Sequence, residues 1–489
     1  MKTIIKLLAI TSLVYSSCVP DLDLERVDSK SVNTFYRTPE DANSAAIALY
    51  GQLRDLYRDE VINTPNNVAS DDAIPFLTGN ADRVALWNYN LTPENTFVGN
   101  IWATAYSGIQ RSNVLLARVP SIEMDDQLKN QYLGEAHFLR AFHYFNLVRF
   151  FGDVPLVLEE VTSLNGIEVP RQPSDQVFET IIDDLNTAGQ LLPTSYTGND
   201  VGRATRGAAM GLLAKVLLTR AGNNSASPYW AQAAAKAKEV IDLGLYDLWE
   251  DYEQVYDMAN RCGKESLFEI LYITDLSGNN LATGYAPRGA PIVPGTGSGI
   301  LRATKSLFAG YEANDERKAV TFLTSYIHPN TGAVVNLSID NPDPALAVSF
   351  WKLADLTATL SGQAGKSFPY LRFSDILLIY AEALNESNGG PTDDAYAALN
   401  RVRMRAGLQP LDGLNLTRFR EAVLKERRLE FCFEANRWFD LVRRDRLIEA
   451  VKAENSFSRD ANIKDFNRYL PIPQREIDAN AALIQNEGY

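Results

Sequence analysis

Three glutamates near the carboxyl end of the 489-residue chain, Glu426, Glu430 and Glu434, recur four residues apart in a predicted helical segment. Paired carboxylates can hydrolyse a glycosidic bond when roughly 5–10 Å separates them across a cleft. In this segment arginines such as Arg427 and Arg428 alternate with the acids, which favours ion pairs between helices. We therefore interpret the three glutamates as structural partners and predict no catalytic residue among them.

The sequence contains few other residues or motifs that are typical of catalytic, metal-binding or phosphate-binding sites. The three histidines are His137, His143 and His328, and a spacing of six places the first two on different faces of a helix. The sequence contains no HExxH, no GxSxG and no cysteine–histidine zinc pattern. The glycine-rich segment 295–299 lacks the lysine of a phosphate loop and the third glycine of a dinucleotide fingerprint. We therefore predict no metal, no cofactor and no enzymatic activity.

Two irregular stretches, 61–91 and 246–370, combine aromatic rings with polar side chains. Sugar rings have apolar C–H faces that stack on Trp and Tyr, while Asn, Asp and Arg bind the hydroxyl groups. For any single aromatic residue here, packing within its loop is the alternative. The predicted ligand-binding residues are Asp72, Asn80, Arg83, Trp87, Tyr285, Arg288, Tyr326 and Trp351.

The segment 132–157 is the element around which the rest of the chain must be organised. It is apolar and aromatic on nearly every face, which is typical of an interior helix with neighbours on several sides. Gly152 stops the helix, and Pro155 follows where it cannot continue it. Arg140 and Arg149 interrupt the apolar run, so we expect their partners to come from other elements.

Helical periodicity recurs before and after this segment, and it is lost in the two irregular stretches 61–91 and 246–370. Predicted helix starts lie at Thr38-Pro39, Thr92-Pro93, Pro173-Ser174, Thr205 and Ser227-Pro228. Helix pairs of roughly 34 residues suggest a tetratricopeptide-like solenoid. The sequence predicts a mainly α protein with a single domain over 34–489. Its helical scaffold covers 34–245 and 371–489, and a loop-rich ligand-binding part with short β-strands covers 246–370.

The amino terminus has the pattern of an export signal. Lys2 and Lys6 flank the start of an apolar run that ends just before Cys18 and is too short to span a bilayer. We predict a lipoprotein signal peptide over 1–17, lipidation of Cys18 and a tether over 18–33. Ordinary cleavage, with Cys18 incidental, is the alternative.

The net charge and the hydropathy of the mature chain limit what it can bind and how it can attach to a membrane. The formal net charge of −14 argues against a nucleic-acid partner, because binding phosphates requires clustered basic residues. No segment after the signal is long and apolar enough to cross a membrane, so we expect attachment through a lipid anchor.

Cys262 and Cys432 could pair in an exported chain, but we favour a buried free thiol for Cys432.

Five stretches of the chain have a recognisable pattern. Four of them are EAHFLRAFHYFNLVRFFGDVPL at 135–156, LRFSDILLIYAEALNE at 371–386, KERRLEFCFEANRWFDLVRR at 425–444 and LPIPQREIDANAALIQNEGY at 470–489. The fifth is the opening of the mature chain, DLDLERVDSKSVNTFYRTPEDANSAAIALYGQL. In sequence and in order along the chain, these stretches resemble the SusD/RagB family of outer-membrane nutrient-binding lipoproteins.

The resemblance implies a SusD-like α/α superhelix of four tetratricopeptide-like pairs that carries a loop-rich second half. It also implies lipidation at Cys18 and a SusC-like TonB-dependent transporter as partner. The usual ligand in the family is a glycan, although some members take peptides. We therefore expect a non-enzymatic receptor on the surface of a Gram-negative outer membrane that captures oligosaccharides and delivers them to the transporter. The alternatives are a peptide receptor on the same scaffold and a glycoside hydrolase.

Overall fold

The computed structural model describes residues 35–58, 61–163, 168–454 and 456–489. The predicted signal peptide over 1–17, the tether over 18–33 and Cys18 lie outside the described residues. Helices form most of the secondary structure, and the strands are only two to five residues long.

The helices, numbered in chain order, are α1 Pro39–Tyr57, α2 Asn63–Val68, α3 Ala81–Trp87, α4 Thr96–Arg118, α5 Asp126–Phe151, α6 Ser174–Leu191, α7 Arg206–Ala221, α8 Tyr229–Asp242, α9 Leu281–Tyr285, α10 Lys305–Gly310, α11 Arg317–Thr321, α12 Phe373–Ser387, α13 Asp393–Arg405, α14 Leu416–Glu430, α15 Arg437–Arg443, α16 Leu447–Ala453, α17 Phe457–Asn462 and α18 Gln474–Ala479.

The strands are β1 Ala73–Pro75, β2 Val154–Pro155, β3 Arg171–Gln172, β4 Ser266–Ile270, β5 Leu301–Ala303, β6 Phe322–Leu323, β7 Ser325–Ile327, β8 Val334–Asn336, β9 Ser349–Phe350 and β10 Phe368–Arg372. They form five antiparallel pairs: β1 with β5, β2 with β3, β4 with β10, β6 with β9, and β7 with β8.

Helix α5 is the interior helix that its sequence predicts. Phe142 and Phe145 are fully buried, and α4 and α6 pack on either side of the helix. Arg140 finds its partner on another element, as predicted, because it donates to Asp184 of α6 at 2.7 Å. Arg149 instead donates within α5, to the Asn146 side chain at 2.7 Å, while its guanidinium lies 3.7 Å from the ring centre of Phe439 on α15. These contacts allow the helix to carry both arginines inside the core.

The scaffold is a row of neighbouring helices. Helix α1 packs on α4, and the row continues through α5, α6, α7 and α8 to α12, which also contacts α13 and α14. Helices α8 and α12 are direct neighbours although residues 243–372 separate them in sequence. The loop-rich part therefore leaves and re-enters the scaffold between two adjacent helices. This arrangement confirms the predicted mainly α fold with a loop-rich insertion that contains short strands.

Three local predictions are wrong. The stretch 61–91 is not wholly irregular, because α2 and α3 lie within it, and Trp87 is the last residue of α3. Helix α4 begins at Thr96 with Asn95 as its cap, a few residues after the predicted start at Thr92. Helix α14 ends at Glu430, so Glu434 follows in a turn rather than on the same helix.

The described residues contain no helix that combines the length and the apolar character needed to cross a bilayer.

One contact between α4 and α5 illustrates how closely the scaffold helices pack. A Cβ atom on Gly108 of α4 would lie 2.1 Å from the His143 ring of α5, so the two helices approach closely only because this position has no side chain.

Candidate functional site

The loop-rich part contains an open cleft with a volume of about 720 Å³. Its walls are the turns at 251–258, part of α11 and the segment 351–357 that follows β9, and Lys366 completes the lining. Apolar and polar side chains together form the lining, and its aromatic members are Trp351 and the buried Tyr256. A concave surface with an accessible ring and several polar groups is a typical small-ligand site.

Backbone hydrogen bonds hold Trp351 in place, while its side chain is partly exposed. Its backbone N–H donates to the carbonyl of Thr321 at 2.8 Å, and its own carbonyl accepts from the N–H of Ala354 at 2.8 Å. The half-buried side chain packs against a small apolar cluster that includes Ala282 and Ala286. The ring is therefore held in one place while part of its surface remains accessible.

Lys352 anchors the floor of the cleft to the scaffold. Its buried ammonium group donates to Glu434 at 2.6 Å and to the Tyr252 hydroxyl at 3.3 Å. Burial acts to lower the pKa of Lys352, but the charge of Glu434 outweighs that effect and the pKa is raised. Lys352 thus stays charged, and its charge is already neutralised inside the protein.

Asp355 organises the far wall. It accepts hydrogen bonds from the Thr274 hydroxyl at 3.0 Å, from the Thr357 N–H at 2.8 Å and from the Gly365 N–H at 2.6 Å. Burial acts to raise the pKa of Asp355, yet these hydrogen bonds prevail and lower it. Asp355 is consequently a fixed carboxylate whose acceptor sites are largely used by its own loop.

The rim is acidic. Asp251, Glu253 and Asp257 are exposed and line the cleft on one side. Opposite charge comes from Lys366, a half-buried residue whose ammonium group donates to the carbonyl of Lys352 at 3.3 Å. Burial lowers the pKa of Lys366, and nearby carboxylates that include Glu253 and Asp257 oppose that shift. These rim residues were not among the predicted site residues. They lie within the predicted ligand-binding part 246–370, but no sequence motif marks them.

Of the predicted ligand-binding residues, Trp351 lines the cleft and Tyr285 lies beneath the surface. Tyr285 is 2% exposed, and its ring meets Phe433 edge-on at 4.4 Å between centroids. Phe433 in turn stacks on Phe350 at 3.9 Å, directly before Trp351 in sequence. Tyr285 therefore belongs to a buried column of rings that supports the loop.

Three further predicted residues are buried in packing contacts elsewhere. Trp87 is 7% exposed, and the Arg459 guanidinium lies 5.4 Å from its ring centre. Arg83, one helical turn earlier, is equally buried. Asp72 accepts from Arg428 at 2.8 Å across the interface with α14. These positions hold segments together and do not reach the cleft.

The remaining three predicted residues are more accessible but lie outside the cleft. Asn80 is exposed and caps α3, while Tyr326 is half-buried on β7. Arg288 is exposed, and its guanidinium lies 4.6 Å from the centre of the Phe76 ring. Phe76 also lines a separate pocket of about 130 Å³ together with Arg302.

The three glutamates of the carboxyl-terminal half form the ion pairs predicted from their spacing. Glu426 accepts from Arg317 at 2.6 Å, Glu430 accepts from Arg372 at 2.8 Å, and Glu434 accepts from Arg372 at 3.0 Å. Burial would raise the pKa of Glu430, but the surrounding arginines hold it well below its ordinary value. All three carboxylates are paired with buried arginines, so we interpret them as structural.

Among the described residues, Cys262 and Cys432 are both free, and Cys432 is buried, as predicted. Across the same residues, no group of three or more His, Cys, Asp or Glu side chains is arranged to hold a metal ion.

Two family models match the chain. One, described as the SusD family, covers residues 349–489, and the other, described as starch-binding associating with outer membrane, covers residues 24–218. SusD-like protein P2 from Formosa agariphila is 30% identical over 430 residues, which span 82% of this chain and 83% of that protein.

Solved structures match the whole fold. A laminarin-binding SusD-like protein has a TM-score of 0.79 and 26% identity, with 93% of this chain and 100% of that chain covered. Surface glycan-binding protein A from Bacteroides thetaiotaomicron, in complex with laminarihexaose, has a TM-score of 0.78 and 25% identity. That comparison covers 92% of this chain and 99% of the other.

Proposed function

The chain belongs to the SusD/RagB family, and from this premise we propose that it is a surface receptor that captures an oligosaccharide in the cleft lined by Trp351. Two solved structures similar to this chain are named for binding laminarin or were solved with laminarihexaose. Laminarin oligosaccharides are therefore the first probes to test.

The observation that carries the proposal is the position of Trp351. Its ring is half-buried, its backbone is fixed on both sides, and it borders a cleft of about 720 Å³. A ring held in this way stacks on a sugar face at little cost in conformational entropy. Gln254 and Thr357 lie in the same lining and supply polar groups for sugar hydroxyls.

The floor of the cleft favours a preorganised binding site. Lys352 and Asp355, both in the segment that follows Trp351, are tied to Glu434 and to Thr274 respectively. A segment that is already fixed at two points does not need to be ordered when the ligand arrives, so less binding free energy is lost.

The charge state of the cleft supports binding rather than hydrolysis. A glycosidase needs a general acid whose pKa is raised towards neutrality. Asp355 has a lowered pKa instead, because its hydrogen bonds stabilise the carboxylate. The pKa of Glu434, beneath the cleft, is also lowered, since Arg372 and Lys352 outweigh its burial.

The proposal extends to anchoring and delivery. Lipidation of Cys18 would hold the receptor on the outer membrane, facing the cell surface, where it would pass its ligand to a SusC-like TonB-dependent transporter. Acyl burial contributes about 0.8 kcal/mol per CH₂, so two or more chains give stable attachment. We expect Cys18→Ala to leave the membrane fraction or to stall in processing. Fractionation identical to wild type contradicts the anchor, and co-purification from solubilised outer membranes tests the transporter.

Calorimetry with the purified soluble chain tests ligand capture. We expect Trp351→Ala to abolish binding of an oligosaccharide that the wild type binds, with little change in thermal unfolding, because a stacking ring has few substitutes. Trp249→Ala is the matched control, since Trp249 is also a half-buried tryptophan but does not line the cleft. Unchanged binding by Trp351→Ala, or equal loss in both variants, contradicts the assignment of the cleft.

A further inference from the structure

We propose that the Trp351 cleft selects uncharged glycans and rejects those that carry carboxylate or sulfate groups. The inference rests on the proposed function, because it concerns the ligand of the same cleft. Its basis is the balance of charged side chains around the site and the contacts that each of them already makes.

Carboxylates outnumber lysines in the lining. Four acids border the cleft, namely Asp251, Glu253, Asp257 and Asp355, against two lysines, Lys352 and Lys366. Among the described residues, no Lys, Arg or His lies within ion-pair distance of the three acids on the rim. A negatively charged sugar entering the cleft would therefore meet a field of its own sign.

The two lysines offset that field only in part. Lys352 is buried and donates to Glu434 at 2.6 Å, so its charge is neutralised below the floor. Lys366 donates to the backbone carbonyl of Lys352 at 3.3 Å, and the charges of Asp355, Glu253 and Asp257 act on it from a longer distance. One half-buried ammonium group against four carboxylates leaves the opening net negative, so a carboxylate or sulfate would lose more hydration than Lys366 alone replaces.

The same acids suit neutral sugars. A carboxylate is an acceptor with several lone pairs, and a sugar hydroxyl is a donor that can rotate towards it. Of the three rim acids, Asp257 uses one oxygen to cap its own turn, through the Ala259 N–H at 2.9 Å. Glu253 lines the cleft, is exposed and accepts no hydrogen bond from the described part of the chain, so its acceptor sites are available to a ligand.

A basic pocket elsewhere provides the contrasting site for an anionic ligand. Arg302 lines the pocket of about 130 Å³ next to Phe76, and no carboxylate in the described ranges pairs with it. Burial lowers the pKa of Arg302, with no carboxylate to oppose the shift. If the protein does bind an anionic glycan, this pocket offers it a guanidinium group with no carboxylate among the described residues of the lining, in contrast to the four carboxylates of the Trp351 cleft.

The experiment is calorimetry on the soluble chain with two sets of hexasaccharide-sized probes. The neutral set contains laminari-, malto-, xylo- and manno-oligosaccharides, and the anionic set contains oligogalacturonate, oligoalginate and carrageenan oligosaccharides. We expect binding only within the neutral set, with anionic probes at least about tenfold weaker. We also expect neutral binding to stay constant between about 50 and 500 mM NaCl, because no ion pair is screened.

Two charge-reversal variants sharpen the test. Glu253→Lys should raise the affinity for oligogalacturonate several-fold, an effect that salt suppresses, since it replaces a repulsive charge at the opening. Asp183→Lys makes the same change at an exposed position on α6 of the scaffold and should leave the affinity as in wild type. An equal gain in both variants would mean that only net charge matters and would overturn the inference.

The remaining outcomes separate the inference from the proposed function. Tight anionic binding that is lost in Trp351→Ala overturns the neutral selectivity but keeps the cleft as the glycan site. Anionic binding that survives Trp351→Ala and is lost in Arg302→Gln overturns both, and moves the site to the basic pocket. If no member of either set binds, the proposed function fails and the inference fails with it.

Discussion

Two groups of carboxylates in this protein have opposite surroundings. Glu426 and Glu430 on α14 are at most 1% exposed, and each accepts from the Arg317 guanidinium. Asp251 and Glu253 at the cleft are exposed, and among the described residues no cation pairs with either. Acids of the same type therefore serve two purposes, and burial with pairing separates the structural group from the group that is available to a ligand.

The contrast has a simple physical origin. A buried carboxylate loses its hydration, and only nearby cations and hydrogen bonds can replace it, so a network of arginines must accompany it. That network joins the loop-rich part to the scaffold, because Arg317 and Lys352 come from the former while Glu426 and Glu434 belong to α14 and the turn after it. The exposed acids keep their hydration and need no partner.

The largest expected effect comes from removing a charge on the buried side of this comparison. Glu430→Gln leaves Arg372 and Arg405 buried with part of their compensation lost, which should destabilise the fold by about 3–5 kcal/mol. Glu253→Gln makes the same chemical change on the exposed side and should stay within about 0.5 kcal/mol of wild type. Chemical denaturation of both variants measures the difference.

Equal destabilisation by the two substitutions would break the comparison, since it would mean that the exposed acids also have a structural role. A small effect of Glu430→Gln would instead show that the buried arginines find other acceptors.

A smaller loss of stability is expected at acidic pH, and it comes from His143 in the scaffold. Burial lowers the pKa of His143 in the folded chain to about 3, whereas an unfolded histidine has a pKa near 6.5. Below about pH 6.5 the unfolded chain takes up a proton that the folded chain cannot, so stability falls as the pH falls. Between pH 6.5 and 5 the loss from this group is about 2 kcal/mol.

Urea denaturation at several pH values checks this sign and size. His143→Asn should show a shallower dependence of the free energy of unfolding on pH between 5 and 7, whatever its absolute stability. His328→Asn, the same substitution at a partly exposed histidine in the turn between β7 and β8, is the matched comparison. A slope that His143→Asn leaves unchanged would assign the acid sensitivity to other groups.

The scaffold could be predicted from sequence where local signals and burial agree. The apolar character of α5 on every face indicated an interior helix, and Thr38 capped α1 as its position suggested. Helix α2 was missed because its polar sequence, NTPNNV, has no apolar period. All six of its residues are buried, and one of its amides reaches a distant segment, because Asn66 accepts from the Trp438 N–H at 3.2 Å.

The site was only partly predictable, and for a related reason. Trp87 and Trp351 looked equivalent in sequence, since both lie in stretches without a clear helical period. The structure buries Trp87 under Arg459, whose position 372 residues later no local pattern reveals. The acids of the rim were missed because their function depends on the absence of a partner, which only the folded arrangement determines.

A crystal structure of the chain with the oligosaccharide that binds best in calorimetry tests the central claim most directly. We predict a sugar ring stacked on Trp351 within about 4 Å, in van der Waals contact, with its hydroxyl groups towards Glu253 and Gln254. A sugar that occupies the pocket beside Phe76 and Arg302, with the Trp351 cleft empty, would contradict the account.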